Sequence, residues 1–389
     1  MEEKGFIRKR KEDKPVVAIC YDFDKTLSPD DMQSQGFIQS VGWDVAKFWQ
    51  RSNGMAEEND MDQNLAYMYM MSKVSRGSLI FRKETLKQYG SKITLFPGVE
   101  EWFDRIKNYG EEHGVIVEHY IISSGLKEMI EGTAISSKFE KIYASAFYYD
   151  EDGIAVWPAQ VVNYTNKTQF LFRIEKGVLD INDSGVNDYF EPENIRVPFR
   201  NMIYIGDSDT DIPCMKLVNS HGGHSIGVYN NSTNNKIKVY KMMHDKRIKY
   251  FVPADYNEGS ELDKLVKAII DRTVTNEVLE NIYYSCKKEY LDVDKLNDED
   301  KRKKTDLLIG LENSSNFATT HYIIRKIKKV ENWTEEEKET LLKIAVENSQ
   351  VFSILGDWDL KTFYEDLISE MENLNENAKI VQEEIDKRY

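Results

Sequence analysis

Two aspartates stand directly after an apolar run near the amino terminus, in the sequence VVAICYDFDKTLSPDD that starts at Val16. Asp22 and Asp24 are two positions apart, and side chains at that spacing share one side of an extended chain. Two neighbouring carboxylates repel each other unless a cation or a proton lies between them. A single aspartate here would be interpreted as the cap of a turn before Pro29, but the pair favours a chemical role.

A second acidic pair follows another apolar run, in the sequence MIYIGDSDTDIPCM. Asp207 ends this predicted strand, and Asp211 lies at the start of the helix that follows. Carboxylate oxygens from two separate strand ends would form a site for a hard cation, and few protein ligands with room for water suit Mg²⁺. Neither segment is a calcium loop of the EF-hand type, because the position that requires glycine holds Ile212 in one and Leu27 in the other.

Alternating strand-like and helix-like segments must position these acids. Five apolar runs predict strands, and they begin at Val16, Val115, Met202, His224 and Ile248. Segments with helical spacing lie between them, and this alternation predicts an α/β fold with a doubly wound, mostly parallel sheet. Ligands of such sheets bind beyond the carboxyl ends of the strands, where Asp22, Ser123 and Asp207 would lie.

Two segments interrupt the alternation. Residues 32–95 have helical spacing, which predicts a small helical insertion. The stretch ASAFYYDEDGIAVWPAQVV alternates apolar and polar residues around Asp152 and Gly153, which predicts a β-hairpin. The predicted organisation is a core over residues 14–31 and 96–272, a helical cap over 32–95 and a C-terminal helical region over 273–389.

The C-terminal region carries its own helix signals. Thr334 and Glu337 form a capping box, from which we predict one helix that stops at Gly356. A long final helix is predicted from about Leu360, with apolar residues at helical spacing as far as Leu374. We recognise no family for this region, and its expected role is packing against the core or contact with a protein partner.

Composition narrows the range of partners. The formal net charge of -15 argues against binding to nucleic acid or an acidic membrane surface. Cys20, Cys214 and Cys286 are scattered among apolar residues, so we expect three buried, reduced thiols. The charged amino terminus predicts no signal peptide, and no apolar run approaches the ~20 residues that span a bilayer. We therefore expect a cytoplasmic protein.

The order of the motifs resembles that of the haloacid dehalogenase-like (HAD) superfamily of phosphohydrolases over roughly residues 14–272. The first motif is DFDKT, and the second is the run YIIS that ends at Ser123 and is followed by Ser124 and a glycine. Lys167 in NYTNKTQFLF matches the third motif, and GDSDTD matches the fourth. The insertion resembles a helical cap of the phosphoserine-phosphatase type, and the resemblance implies an HAD-like catalytic core beneath it.

The resemblance also implies roles for the acidic residues. Asp22 would be the nucleophile that forms an aspartyl-phosphate, and Asp24 would be the general acid and then the general base. The spacing alone suggests that both carboxylates hold one metal ion, whereas the family uses the main-chain carbonyl of Asp24 as the ligand. Asp207 would complete the ligands of Mg²⁺, and Asp211 would be a ligand or would orient one.

Four further residues are assigned to the phosphate by the same resemblance. Ser123, Ser124 and Lys167 would contact the phosphoryl oxygens, and Thr26 would belong to this group while it positions the loop and the Asp24 side chain. Dehalogenases lack the Asp–Asp pairing, so DFD resembles the phosphatase branch.

The predicted function is that of a Mg²⁺-dependent phosphomonoesterase acting on a small phosphorylated metabolite. A phosphoprotein phosphatase or phosphotransferase guided by the C-terminal helices is one alternative. A non-catalytic module that senses a phosphorylated ligand is another, although the four intact motifs argue against it. Residues of the cap would select the substrate, which the sequence does not identify.

Overall fold

The computed structural model describes residues 6–207, 209–233, 235–293, 299–371 and 373–388. The strands of these residues form one seven-stranded sheet. They are β1 (Val16–Tyr21), β2 (Ile116–Leu126), β3 (Lys141–Tyr149), β4 (Ala155–Gln160), β5 (Met202–Gly206), β6 (His224–Tyr229) and β7 (Tyr250–Pro253).

Helices separate and follow the strands. From the amino terminus to the last strand they are α1 (Phe37–Ser40), α2 (Val45–Glu58), α3 (Gln63–Ser75), α4 (Lys83–Gly90), α5 (Val99–Glu112), α6 (Lys127–Glu131), α7 (Thr168–Lys176), α8 (Ile212–Ser220) and α9 (Ile237–His244). After the last strand they are α10 (Glu261–Val293), α11 (Glu299–Glu312), α12 (Phe317–Ile327), α13 (Glu335–Glu347), α14 (Ser349–Ser353), α15 (Trp358–Ser369) and α16 (Glu376–Lys387).

The sheet has the order β4-β3-β2-β1-β5-β6-β7, and only the β3–β4 pair is antiparallel. Every residue of β1 is buried, as expected for the apolar run of a central parallel strand. The chain adds β2 and β3 on one side of β1 and then β5, β6 and β7 on the other. The predicted doubly wound α/β fold is therefore confirmed. The direction in which the chain adds strands to the sheet reverses between β1 and β5.

The two interruptions of the alternation have the expected secondary structure. Helices α1 to α4 lie between β1 and β2, and the methionine-rich α3 buries Met68, Met70 and Met71. Strands β3 and β4 form the hairpin, and Gly153 in its turn has a φ of 74°. The limits given above for core, cap and C-terminal region remain predictions.

The chain divides into two compact units. One contains Ile7–Asp180 and Arg196–Glu277, and includes the sheet. The other combines Ile181–Ile195 with the chain from Val278 onward. This second unit has its own apolar core, in which Leu311, Ile324 and Leu342 are fully buried.

Two predicted helices of the C-terminal region are in fact four. The capping box of Thr334 and Glu337 is present, but α13 ends at Glu347 because Asn348 caps the new helix α14. The predicted helix to Gly356 is therefore too long. The predicted final helix is also wrong, because α15 ends at Ser369 and α16 starts after the cap residue Asn375.

Two further expectations concern the cysteines and the membrane. Cys20 and Cys214 are buried free thiols, but Cys286 is exposed, so the expectation of three buried thiols is wrong for Cys286. Among the described residues, we find no helix whose length and apolar character would let it span a bilayer.

Candidate active site

Asp22 directly follows the last residue of β1, at the edge of the sheet formed by the carboxyl ends of the strands. Its backbone N–H donates to the carbonyl of Ile205 on β5 at 3.0 Å, so the aspartate is fixed between the two central strands. The chain then turns sharply, because the carbonyl of Phe23 accepts from the N–H of Leu27 at 2.9 Å and Lys25 takes a φ of 60°. The buried Asp22 side chain is thereby held at the carboxyl end of β1.

Asp207 and Asp211 reach the same place from β5. Asp207 follows the last residue of the strand, and Asp211 directly precedes α8. A Cβ atom on Gly206 would lie 2.5 Å from Oδ2 of Asp211, so the absence of a side chain at Gly206 lets this carboxylate approach the backbone. Asp22, Asp207 and Asp211 are buried, and each places one carboxylate oxygen within 4.8 Å of the others.

Lys167 enters the same cluster from the start of α7. Its side chain is fully buried, and Nζ donates to Oδ1 of Asp22 at 3.1 Å and to Oδ1 of Asp211 at 2.8 Å. Asn163 shapes the turn before it, accepting from the N–H groups of Thr165 and Asn166. Residues from three separate stretches of the chain therefore meet at one edge of the sheet.

The Asp24 side chain lies on another side of this loop. Its Oδ1 accepts from the N–H of Met32 at 2.8 Å, and its Oδ2 would lie 3.2 Å from a Cβ on Gly125. The Asp24 carboxylate therefore lies beside the last residues of β2 and is not one of the three clustered carboxylates. Thr26 is fully buried, its carbonyl accepts from the Tyr256 hydroxyl at 2.8 Å, and its own Oγ1 has no hydrogen-bond partner among the described residues.

Ser123 and Ser124 occupy the carboxyl end of β2. The register pairs Tyr21 with Ile121, so both serines lie at the same edge as Asp22. Ser123 is buried, and its Oγ accepts from the N–H of Gly125 at 3.1 Å. The Ser124 carbonyl accepts from the Tyr67 hydroxyl of α3 at 2.7 Å, whereas its Oγ is buried without a hydrogen-bond partner in the described part of the chain.

Burial and mutual repulsion change the acidity of the clustered groups. Burial raises the pKa of Asp22 to about 6, with a further contribution from Asp211 and opposition from Lys167. Burial raises the pKa of Asp207 to about 7, and the charges of Asp211 and Asp22 act in the same direction. Burial disfavours the charged form of Lys167, but the adjacent Asp211 and Asp22 outweigh it and raise the pKa of the lysine.

Asp24 experiences a similar environment. Burial raises its pKa well above the ordinary range, and the charges of Asp31 and Asp22 add to this effect, while the N–H of Met32 opposes it. A carboxyl group in this environment holds a proton more readily than an exposed aspartate.

The three clustered carboxylates suit a hard divalent cation. Oxygen ligands lie about 2.0–2.1 Å from Mg²⁺, so oxygens on one ion are separated by about 3–4 Å. Oxygens of Asp22, Asp207 and Asp211 that already lie within 4.8 Å of one another need only small movements to meet that geometry. The donor set, which contains oxygen and no thiolate, also matches the preference of Mg²⁺.

Two tyrosines that contact the site were not singled out from the sequence. Tyr204 on β5 donates its hydroxyl hydrogen to Oδ1 of Asp211 at 2.9 Å, and Tyr67 reaches Ser124 from α3. Both lie in apolar stretches that predict only packing. The phenolic oxygen three positions before Asp207 was the available signal for Tyr204.

A family model of the haloacid dehalogenase-like hydrolases matches residues 19–216. The chain therefore belongs to the haloacid dehalogenase-like hydrolase family, which confirms the family and the hydrolase class predicted from the motifs. The matched range contains all of the acidic, serine, threonine and lysine residues assigned above to the site.

Several proteins are similar to this chain. An uncharacterized protein of Borreliella burgdorferi is 25% identical over 275 residues, which cover 64% of this chain and 94% of that protein. A crystal structure of a HAD family hydrolase from Salmonella enterica subsp. enterica serovar Typhi has 17% identity and a TM-score of 0.44, and covers 67% of this chain and 73% of that one. A substrate-bound phosphoserine phosphatase has 16% identity and a TM-score of 0.40, and covers 66% of this chain and 99% of that one.

Proposed function

We propose that this protein is a Mg²⁺-dependent phosphatase that hydrolyses a phosphomonoester of a small metabolite through an aspartyl-phosphate. The observation that carries the proposal is the convergence of Asp22, Asp207 and Asp211 with Lys167 at one buried edge of the sheet. The proposal places the enzyme in the cytoplasm and in the phosphoserine-phosphatase-like branch, as the motifs suggest.

Asp22 is the nucleophile in this proposal. One of its carboxylate oxygens forms a bond to phosphorus while the bond from phosphorus to the ester oxygen breaks, and Asp24 gives its proton to the departing oxygen. Asp24 then accepts a proton from water, which attacks phosphorus and releases inorganic phosphate and the free Asp22 carboxylate. The position of the Asp24 carboxylate outside the three-acid cluster supports its separate role in proton transfer.

Lys167 and the hydroxyl groups contact the phosphoryl oxygens. The Lys167 ammonium group is already adjacent to the nucleophile and would balance the charge of the incoming phosphate. The buried hydroxyls of Thr26 and Ser124, which have no hydrogen-bond partner in the described part of the chain, are available to a ligand. Ser123 lies at the same strand end and completes this proposed phosphate group.

Asp22, Asp207 and Asp211 would hold the Mg²⁺ ion, together with the main-chain carbonyl of Asp24. When bound, the ion supplies positive charge that lets an anionic nucleophile approach an anionic phosphate. The carboxylates of Asp207 and Asp211 are fixed by β5 and α8, so the chain holds these ligands in place before substrate binds.

Hydrolysis of p-nitrophenyl phosphate tests the proposal. We expect the full chain to hydrolyse the substrate only when Mg²⁺ is present, and EDTA to lower the rate to that of the metal-free protein. The Asp22→Asn variant should have no Mg²⁺-dependent turnover. Asp44→Asn is the matched control, because Asp44 is an exposed residue that caps α2 and asparagine caps a helix equally well. Equal turnover by wild type and Asp22→Asn would refute the proposal, as would full activity in EDTA.

A panel of phosphorylated metabolites tests the proposed substrate class. We expect at least one small phosphomonoester to be hydrolysed with a much higher kcat/KM than p-nitrophenyl phosphate. Contacts between the enzyme and the leaving group of its own substrate would lower the free energy of the transition state. A phosphopeptide that exceeded every metabolite would favour the phosphoprotein phosphatase alternative.

A further inference from the structure

Tyr204 is a buried tyrosine of strand β5 whose hydroxyl contacts the acidic cluster. It lies in β5, pairs with Cys20 of β1 and Ser225 of β6, and is fully buried. Its ring belongs to an apolar core that also contains Phe170 and Cys214. The ring is therefore held by packing on every side, and its hydroxyl group has a fixed position.

The hydroxyl donates to Oδ1 of Asp211 at 2.9 Å, and Lys167 Nζ donates to the same oxygen at 2.8 Å. On the other side of the carboxylate, Oδ2 packs against the backbone at Gly206. Asp211 is thus oriented by two donors on one oxygen and by a close backbone contact at the other. Such contacts determine the rotation of the carboxylate plane and hence the direction in which its oxygens face.

The two donors differ in whether their hydrogen bond to Asp211 can persist during the reaction. Lys167 divides its ammonium group between Asp211 and the nucleophile Asp22, and in the proposed reaction it turns toward the phosphoryl oxygens. Tyr204 keeps its place during the reaction, because its ring is fully buried in the apolar core. The hydroxyl is therefore a partner that can keep the Asp211 carboxylate oriented throughout turnover.

We propose that Tyr204 is a positioning residue that holds Asp211 in the orientation required for binding the divalent cation. The inference rests on the proposed function, because it assumes that the cluster of Asp22, Asp207 and Asp211 binds Mg²⁺. Groups that hydrogen-bond to metal ligands typically alter metal affinity by about 10–100-fold when they are removed. We expect an effect of that size on Mg²⁺ binding when the Tyr204 hydroxyl is removed.

Calorimetric titration of the metal-free full chain with Mg²⁺ measures this effect without any substrate. Tyr204→Phe should weaken Mg²⁺ binding about 10-fold or more. Tyr143→Phe is the matched control: Tyr143 is also buried in the same core, and its hydroxyl donates at 2.9 Å to the Leu179 carbonyl instead of a site carboxylate. Both substitutions keep the ring, and far-UV circular dichroism in EDTA checks that both variants are folded.

A kinetic measurement separates positioning from a general loss of structure. The Mg²⁺ concentration for half-maximal hydrolysis of p-nitrophenyl phosphate should rise in Tyr204→Phe, whereas kcat at saturating Mg²⁺ should change much less. The Tyr143→Phe variant should alter neither quantity by more than about twofold, which lies within the roughly 0.5 kcal/mol expected of a change without a specific mechanism.

The outcomes distinguish the two proposals. If wild type binds Mg²⁺ and Tyr204→Phe binds it with unchanged affinity, the positioning role is wrong and the proposed function stands. If wild type binds no Mg²⁺, the metal site of the proposed function fails, and the role of Tyr204 fails with it. Equal weakening in Tyr204→Phe and Tyr143→Phe would also overturn the inference, because it would show a general effect of core hydroxyls.

Discussion

At the scale of single residues, Asp24 gives the sharpest test of the proposed chemistry. Its carboxylate is half-buried, accepts from the N–H of Met32 and lies outside the three-acid cluster. Asp24→Asn retains a carbonyl oxygen at that position but cannot transfer the proton. We expect kcat for p-nitrophenyl phosphate to fall by about 10²–10⁴.

Mg²⁺ affinity supplies the control for this substitution. If Asp24 contributes its main-chain carbonyl to the metal, Asp24→Asn should bind Mg²⁺ nearly as well as wild type, whereas Asp207→Asn should bind it more weakly. An Asp24→Asn enzyme with unchanged kcat would remove Asp24 from the role of general acid.

Glu118, near the start of β2, should make the free energy of unfolding depend on pH in the acidic range. Burial disfavours its charge, but hydrogen bonds from Arg196, at 2.7 and 2.8 Å, and from Lys9 outweigh burial and lower the pKa of Glu118 to about 2. The unfolded chain, with a glutamate pKa near 4.3, then binds more protons than the folded chain between these two values. Glu118 therefore stabilises the fold by about 3 kcal/mol above pH 4.5, and this contribution is lost as the pH falls toward 2.

Urea unfolding at a series of pH values measures this contribution. The free energy of unfolding of Glu118→Gln should lie below that of wild type at pH 6, and the gap should narrow as the pH decreases below about 4.5. Glu111→Gln, on the exposed surface of α5, should show no such narrowing. A gap that stays constant with pH would show that the stabilisation does not come from the Glu118 charge.

At the scale of helices and strands, Asn348 explains why one predicted helix is two. Its Oδ1 accepts from the N–H groups of Gln350 and Val351, which starts α14. Its Nδ2 donates to the carbonyls of Leu311, Glu312 and Ser314, at 3.2, 2.7 and 2.9 Å. One side chain therefore both ends the helical run and fastens it to the end of α11.

Substitutions at Asn348 can separate these two roles. Asn348→Ala should lower the free energy of unfolding by about 2–4 kcal/mol, because a cap is worth about 1 kcal/mol and the two amide hydrogens, shared among the three carbonyls, each lose a hydrogen bond worth about 0.5–1.5 kcal/mol. Asn348→Asp keeps the cap but faces the three carbonyls with an acceptor, so it should also destabilise. Asn375→Ala removes the cap of α16, and a loss of only about 1 kcal/mol is expected there. If Asn348→Asp leaves the free energy of unfolding unchanged, the stabilisation by Asn348 comes from capping alone.

The strands could be predicted well and the helix ends could not, for physical reasons. An apolar run such as Val16–Tyr21 must be buried on both faces, and a polar residue such as Asp22 marks its end unambiguously. Asn348 and Asn375 instead lie within segments whose apolar residues keep helical spacing, so the breaks depend on contacts with distant carbonyls or on local caps. The acids of the site follow strand ends and were found from the sequence, whereas Tyr204 lies inside a strand and its contact with Asp211 depends on the packing of α8.

At the scale of the whole molecule, the two units have separate apolar cores. Ile106 on α5 is fully buried in the unit that contains the sheet, and Ile324 on α12 is fully buried in the other. Proteins with more than one core commonly depart from two-state unfolding. We therefore expect two transitions in a calorimetric scan of the full chain.

A matched pair of substitutions tests this expectation. Ile106→Ala and Ile324→Ala each remove the same buried atoms and should cost about 2–5 kcal/mol in their own unit. In the affected unit, each loss of 1 kcal/mol in the free energy of unfolding should lower the midpoint of the transition by about 2–8 °C. The midpoint of the other transition should stay within about 1–2 °C of its wild-type value, because the other unit has its own apolar core. A single transition displaced equally by both variants would show that the units unfold together.

The charge inventory of the buried cluster has a consequence for which ions it can tolerate. Lys238 lies 4.0 Å from Asp207, but its ammonium group is exposed and screened by solvent. Within the buried cluster, the ionised carboxylates of Asp22, Asp207 and Asp211 carry three negative charges, and the ammonium group of Lys167 cancels one of them. The remainder equals the charge of one doubly charged ion, so Na⁺ or K⁺ would leave the cluster under-neutralised and a lanthanide would over-neutralise it. Electroneutrality thus favours alkaline-earth-like ions over both, and a competition series of Na⁺, Ca²⁺ and La³⁺ against Mg²⁺ would reveal whether valence or size governs entry.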